Sequence, residues 1–126
     1  MLDQLKDVFE SFQKNDVQYV IIGGIASVLY GVPRATFDLD ILINAVENNA
    51  KSLLKALLDA NLGTASLITP EELLKHEITI FKDYVRIDVQ TKTPGIKFQD
   101  AWNNRKVMEY KGQKFNVVSL DDLISS

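Results

Sequence analysis

Three aspartates and a glycine pair are the residues of this chain best equipped to do chemistry. Gly23-Gly24 closes the apolar run Tyr19-Val20-Ile21-Ile22, and Asp38-Leu39-Asp40 lies inside a second apolar run. Glycines where a buried strand gives way to a helix leave bare backbone N–H groups for an approaching phosphate, with the positive end of the helix dipole behind them. Asp38 and Asp40 sit two apart in an extended segment, so both carboxylates project from one face. Two like charges a few ångströms apart repel, and the arrangement is stable mainly when a divalent cation lies between them. Together the two halves point to a site for metal-bound nucleotide phosphates.

Two aspartates seldom complete a magnesium site, and Tyr84-Val85-Arg86-Ile87-Asp88-Val89-Gln90 offers a third acid. Val85, Ile87 and Val89 alternate inward, which puts Tyr84, Arg86, Asp88 and Gln90 on the other face. An acid in mid-strand among apolar neighbours needs a compensating partner, and Asp88 is the expected third ligand. Spacing alone is equally consistent with an ion pair from Asp88 to Arg86 or Lys82. For Asp38 and Asp40 the bland alternative is an exposed edge face, against which Leu39, Ile41, Leu42 and Ile43 mark a buried strand.

Composition narrows the chemistry further. The 126 residues suit one domain spanning 1–126. An apolar content of 46% with 25% charged residues is the balance of a soluble globular protein. The absence of cysteine excludes disulfides, thiolate metal sites and cysteine nucleophiles, and the single His76 excludes multi-histidine zinc sites. Any metal is therefore held by oxygen, which favours magnesium or manganese. The acidic N-terminal stretch Met1–Asp7 lacks the basic and apolar regions of a signal peptide. No apolar run approaches the roughly 20 residues that cross a bilayer, so a cytoplasmic protein without membrane association is expected. Charge is unevenly placed: residues 1–74 carry a net −5 and residues 75–118 a net +4 within an overall −3. A basic second half suits a polyphosphate or an RNA backbone, or is simply a mixed solvated surface.

The elements that must position these residues follow from periodicity. Leu2, Leu5, Val8, Phe9 and Phe12 predict a helix over 2–14, ended by Asn15-Asp16, and Val17–Ile22 reads as a strand. Residues 24–31 predict a short helix stopped by Gly31, and Phe37–Asn44 the strand carrying the aspartate pair. Glu47–Ala60 predicts a helix with Leu53, Leu54, Leu57 and Leu58 inward, followed by a looser stretch Thr64–Thr69. Thr69 is a suitable cap for a helix beginning at Pro70-Glu71-Glu72. Glu77–Phe81 and Tyr84–Gln90 predict a hairpin joined by Lys82-Asp83. Phe98–Asn103 predicts a helix, Arg105–Tyr110 and Lys114–Val118 a second hairpin, and Ser119 caps a last helical turn. The order predicts an α/β or α+β domain, a mixed-direction sheet with helices packed on one face.

At these residues the chain resembles the nucleotidyltransferase superfamily of the DNA polymerase beta type. Its signature is Gly-Gly or Gly-Ser at a helix start, then Asp-x-Asp, then a later single Asp on a strand, here Gly23-Gly24, Asp38-Leu39-Asp40 and Asp88. The string Ile22-Gly23-Gly24-Ile25-Ala26, Tyr30-Gly31, Arg34-Ala35-Thr36, Asp38-Leu39-Asp40 is more similar to one branch. That branch holds the toxin-type enzymes of toxin–antitoxin and abortive-infection systems, with small aminoglycoside nucleotidyltransferases similar there. The resemblance covers residues 17–44 strongly and 77–123 loosely. It implies transfer of a nucleoside monophosphate from a nucleoside triphosphate such as ATP to a hydroxyl of RNA, protein or a small molecule, with release of pyrophosphate. It implies that Asp38, Asp40 and Asp88 hold two magnesium (or manganese) ions and that Asp88 also acts as general base. Gly23 and Gly24 would cradle the phosphates and Ser27 would add a hydroxyl. Arg34 and Thr36 precede the metal strand, where Arg34 either binds phosphate or neutralises the aspartates; Lys82 and Arg86 are further candidates for that work.

Two departures from the pattern shape the expectations. No serine directly follows the glycine pair, and the chain stops at Ser125-Ser126 where similar proteins continue into a basic helix or helical domain. The sequence thus reads as a minimal or C-terminally shortened domain. The alternative to an enzyme is a non-catalytic nucleotide- or partner-binding component of a toxin–antitoxin pair.

Overall fold

The computed structural model describes residues 2–33 and 38–125. Helix α1 (Leu2–Lys14) buries Leu5, Val8, Phe9 and Phe12 along one side, as helical spacing requires. Its turn onto strand β1 (Tyr19–Ile22) passes through Asp16 at φ 51°. Phe9 stacks on Phe115 and Phe12 meets Tyr19, with ring centres 4.7 and 4.8 Å apart. Strand β1 leads directly into helix α2 (Gly23–Leu29), and strand β2 (Asp38–Ile43) precedes helix α3 (Glu47–Asp59). The remainder comprises α4 (Pro70–Lys75), β3 (Ile78–Lys82), β4 (Arg86–Gln90), α5 (Phe98–Asn104), β5 (Lys106–Tyr110), β6 (Gln113–Val117) and α6 (Leu120–Ser125).

The strands form one mixed six-stranded sheet in the order β3-β4-β2-β1-β6-β5. Strand β1 runs antiparallel to β2 and parallel to β6, and β2 runs parallel to β4. Helices α1 and α3 pack on each other, and α1 lies against β6. They cover the face formed by Leu39, Ile41, Ile87, Val89 and Phe115, all buried. Register then fixes the opposite face: Asp38, Asp40 and Leu42 on β2 lie beside Arg86, Asp88 and Gln90 on β4. That second face is closed over β1, all four of whose residues are buried and against which α5 packs. Over the start of β2 and β4 it is open.

Several local expectations need correction. Thr64–Thr69 is not simply loose, since Gly63–Leu67 winds into a 3-10 helix with Ala65 buried. Leu58 is 44% exposed: the buried side of α3 centres on Ala50, Leu53 and Leu57, and the helical turn carries Leu58 past its edge. The first hairpin turns over Asp83–Val85, because Lys82 is still paired with Arg86. Tyr84 accordingly leaves the strand face, and its hydroxyl donates to the Ala60 carbonyl. Thr69 caps α4 as expected, and with Glu72 it completes a capping box.

One buried side chain ties the site's strands together. Asn49, 7% exposed in the first turn of α3, accepts from Gln18 N at 2.8 Å. Its amide donates to Gln18 O at 3.0 Å and to Asn44 O at 2.9 Å. It thereby fixes the entry of β1 against the exit of β2. Asn49→Ala strands these backbone groups and should lower unfolding free energy by about 2–3 kcal/mol. Urea denaturation with an unchanged m-value reads this, and a loss well under 1 kcal/mol would dismiss Asn49 as the clamp.

Candidate functional site

The parallel register of β2 and β4 places Asp38 beside Arg86 and Asp40 beside Asp88. Leu39, Ile41, Ile87 and Val89 alternate with them and are buried, so neither strand can turn over without losing its core face. The antiparallel pair Ile22–Asp40 brings the end of β1, and hence Gly23, to the same carboxylates. Gly23 has φ 70°, a region open to glycine and strained for most other residues. A Cβ at Gly23 would overlap Asp40 Oδ2 and lie 3.1 Å from Asp40 Cγ. Glycine is therefore required there for two reasons, backbone conformation and close approach.

Arg86 is the counter-ion of this cluster. Its Nε donates to Asp88 Oδ1 at 2.9 Å and its Nη2 to Asp88 Oδ2 at 3.2 Å, a two-pronged contact. The same Nε is 3.6 Å from Asp38 Oδ2. Asp88 is more enclosed than Asp38, its side chain 16% exposed against 44%. Asp40 makes no ion pair of its own among the described residues. Burial, then the charge of Asp88 and a hydrogen bond shared with it, push the Asp40 carboxyl up to about 6, and Arg86 offsets only part of this. Among the described residues, one arginine faces three carboxylates in this cluster.

Of the residues singled out in the sequence, Asp38, Asp40, Asp88, Gly23 and Gly24 come together at one end of the open face. Ser27 sits one turn into α2, but its hydroxyl donates back to the Gly23 carbonyl at 3.3 Å. Arg34 and Thr36 lie outside the described residues. Between the two cations considered for Asp88, Arg86 and not Lys82 makes the contact. Among the described residues no group of three His, Cys, Asp or Glu side chains is set to hold a metal ion as it stands, and Arg86 reaches both Asp38 and Asp88. The donor set nevertheless fits a hard divalent cation, being all oxygen and under-compensated in charge. Sequence reading ranked Arg86 too low. Its alternation with Asp88 was visible, but its approach to Asp38 depends on a strand pairing that local pattern does not encode.

Comparison with known proteins fits this geometry. Residues 2–126 match the model of a family described as nucleotidyltransferase of unknown function (DUF6036). A solved structure from Thermotoga maritima, described as a candidate nucleotidyltransferase, aligns with a TM-score of 0.63 at 16% identity. The alignment covers 95% of this chain and 78% of that one, and at this identity it shows the shared fold. No curated protein matches the sequence. No helix among the described residues is long and apolar enough to cross a membrane.

The raised Asp40 carboxyl gives a signed prediction. Its folded value of about 6 exceeds the ordinary 3.8, so the fold favours the neutral acid. Stability contributed by that neutral form is present below the ordinary value and is lost as pH rises through about 6. Asp40→Asn removes the penalty of the charged form. In metal-free buffer the variant should be more stable than wild type by about 1–2 kcal/mol above pH 7, the half-buried position screening part of the full linkage. The gain should vanish below pH 4. Denaturation across pH 4–8 measures it, and an equal effect at both ends would remove Asp40 as the titrating group.

Proposed function

Since the chain belongs to this nucleotidyltransferase family, we propose that it transfers a nucleoside monophosphate from a nucleoside triphosphate to a hydroxyl acceptor at the Asp38–Asp40–Asp88 face. The observation that carries this reading is the in-register pairing of Asp40 with Asp88, with Asp38 one step along and Gly23 against Asp40.

Each part of the chain has a defined task in this mechanism. Asp38, Asp40 and Asp88 are the residues that would hold magnesium or manganese. When bound, a pair of such ions supplies Lewis-acid stabilisation of phosphoryl charge and lowers the pKa of an attacking hydroxyl. The backbone N–H groups at Gly23-Gly24 receive the phosphates at the start of α2, where a side chain would block the approach. Ser27 belongs to the same triphosphate end of the face, and Arg34 and Thr36 are assigned to the phosphates from the sequence resemblance alone. Asp88, beside Asp40 on the neighbouring strand, accepts the proton of the acceptor hydroxyl as general base. The hydroxyl oxygen bonds to the α-phosphorus, the bond from that phosphorus to the bridging oxygen breaks, and pyrophosphate leaves. Arg86 would change partners, its guanidinium turning from Asp88 and Asp38 to the negative charge of the triphosphate once those carboxylates held a cation.

The two-pronged Arg86–Asp88 contact also favours a second reading. A site already neutralised at Asp88 suits a binding component, such as one member of a toxin–antitoxin pair, that holds nucleotide without turning it over.

Melting with ATP, CTP, GTP or UTP, each with and without magnesium, tests the shared premise. At a ligand concentration about 100 times Kd the preferred triphosphate should stabilise the protein by about 2.7 kcal/mol. The shift should require magnesium and disappear in Asp38→Ala and Asp88→Ala. No shift with any nucleotide would end both readings. Pyrophosphate release with an acceptor then separates enzyme from binder. The Arg86 exchange has its own signature: Arg86→Gln should bind magnesium alone more tightly and the magnesium–nucleotide complex several-fold more weakly. Equal weakening of both, by calorimetry, would assign Arg86 to structure only.

A further inference from the structure

Further along β2 and β4 than the aspartates lies a cavity that shares no lining residue with them. Two residues beyond Asp40 and Asp88 lie Leu42 and Gln90, themselves paired in register. From there Thr91–Phe98 folds over the end of the strands and encloses about 640 Å³, within the size range of small-ligand sites. Leu42 forms the apolar floor, Phe98 a partly buried aromatic wall, and Lys92 and Lys97 two exposed cationic positions. Asp100 is the one acid in the lining. Neither lysine makes an ion pair among the described residues.

This cavity is built rather than incidental. The Thr93 hydroxyl donates to Gln90 Oε1 at 2.5 Å. Ile96 N donates to the Thr93 carbonyl at 3.3 Å, and the two residues form a β-bridge. Gly95 between them has φ 81°, and the Thr91 hydroxyl donates to the His76 carbonyl at 2.7 Å. Phe98 is held by stacking on Trp102, ring centres 5.7 Å apart.

Positive charge thus stands on both sides of the carboxylates. Lys82 and Arg86 pair in register on the Gly23 side, and Lys92 and Lys97 stand on the other. The proposed triphosphate occupies the first side, which leaves the second for another anion. Two strand residues span about 7 Å, the scale of the distance between a nucleobase and the hydroxyls of its own ribose. A base held over Leu42, with Phe98 as its wall, would bring a ribose hydroxyl toward Asp40 and Asp88 and backbone phosphates toward the lysines. We propose that the Leu42–Lys92–Lys97–Phe98 cavity is the acceptor site and that it takes the 3′-terminal nucleotide of a single-stranded RNA. The inference rests on the nucleotidyl-transfer reading above. In it the RNA 3′ oxygen forms the new bond to the α-phosphorus, its proton passes to Asp88, and pyrophosphate departs.

The test uses a 5′-fluorescein RNA 12-mer of mixed sequence with a free 3′ hydroxyl, titrated by anisotropy in 50 mM salt against the full chain. Lys92→Glu/Lys97→Glu should weaken binding at least tenfold and lower the slope of log affinity against log salt by about 1.4, two phosphate contacts on a single strand. Phe98→Leu should weaken it about tenfold through lost stacking. Lys111→Glu, at a lysine paired with Asp3, makes the same kind of charge change elsewhere and should leave affinity within twofold. Magnesium-dependent nucleotide melting shifts should be unchanged in all three variants. Failure of wild type to bind the RNA, equal binding by the double variant, or an equal loss in Lys111→Glu would each overturn the acceptor site while the nucleotide shift still stands. Transfer of labelled nucleotide to added protein but not RNA would overturn it as well. Loss of the nucleotide shift in wild type would instead strike the underlying reading.

Discussion

The parallel pairing of β2 with β4 is the constraint on which the rest of the site depends. It sets Asp40 beside Asp88 and Asp38 beside Arg86, and no local feature of either strand could do so alone. A slip of one residue would send the aspartates into the core and Leu39 and Ile87 to the open face. Burial of Leu39, Ile41, Ile87 and Val89 at or near 0% exposure makes that slip prohibitive. The hydrophobic face thus holds the polar one in place, though the two never touch.

The polar face is poorly compensated by design of the same register. Two carboxylates side by side repel, and among the described residues one guanidinium serves Asp88 and Asp38 while Asp40 makes no ion pair. A sequence selected only for stability would place apolar or alternating charges here. The fold tolerates the cluster because both strands are central, bordered by β1 and β3 and clamped at β1–β2 by Asn49. Local charge strain is carried by a well-packed frame.

Much of this was legible in the sequence, and the reason differs from element to element. Helix α1 announced itself through a clean apolar stripe, and α4 through its Thr69 cap and Pro70, because both signals are local. The face that Asp88 takes was legible by parity: period-two alternation says which face an acid takes whatever its partner strand. What stayed hidden was pairing. The segments α3, the 3-10 helix, α4 and β3 intervene between β2 and β4, and nothing in them specifies that the two strands run side by side. Hence Arg86 was read as a neighbour of Asp88 without its reach to Asp38. The Leu58 error is of another kind, since four leucines at near-helical spacing do not say where the buried arc ends. Arg34 and Thr36, read from motif resemblance, remain a matter of sequence.

The division between rigid and movable parts follows from the same contacts. The Asp40 side chain occupies the place that a Cβ on Gly23 would take. Asp40 and Asp88 sit on strands locked by their buried alternates, and the Thr91–Phe98 segment is pinned by Thr93, Gly95 and Thr91. Arg86 differs: its long side chain is 38% exposed and held only by its carboxylate contacts, interactions that a stronger cation replaces. Ligand binding at this face therefore calls for a change of partner at one side chain, with the sheet beneath it unmoved. On the proposed reading the site discriminates through charge, since a ligand that brings its own positive ion releases Arg86 without leaving the carboxylates facing one another.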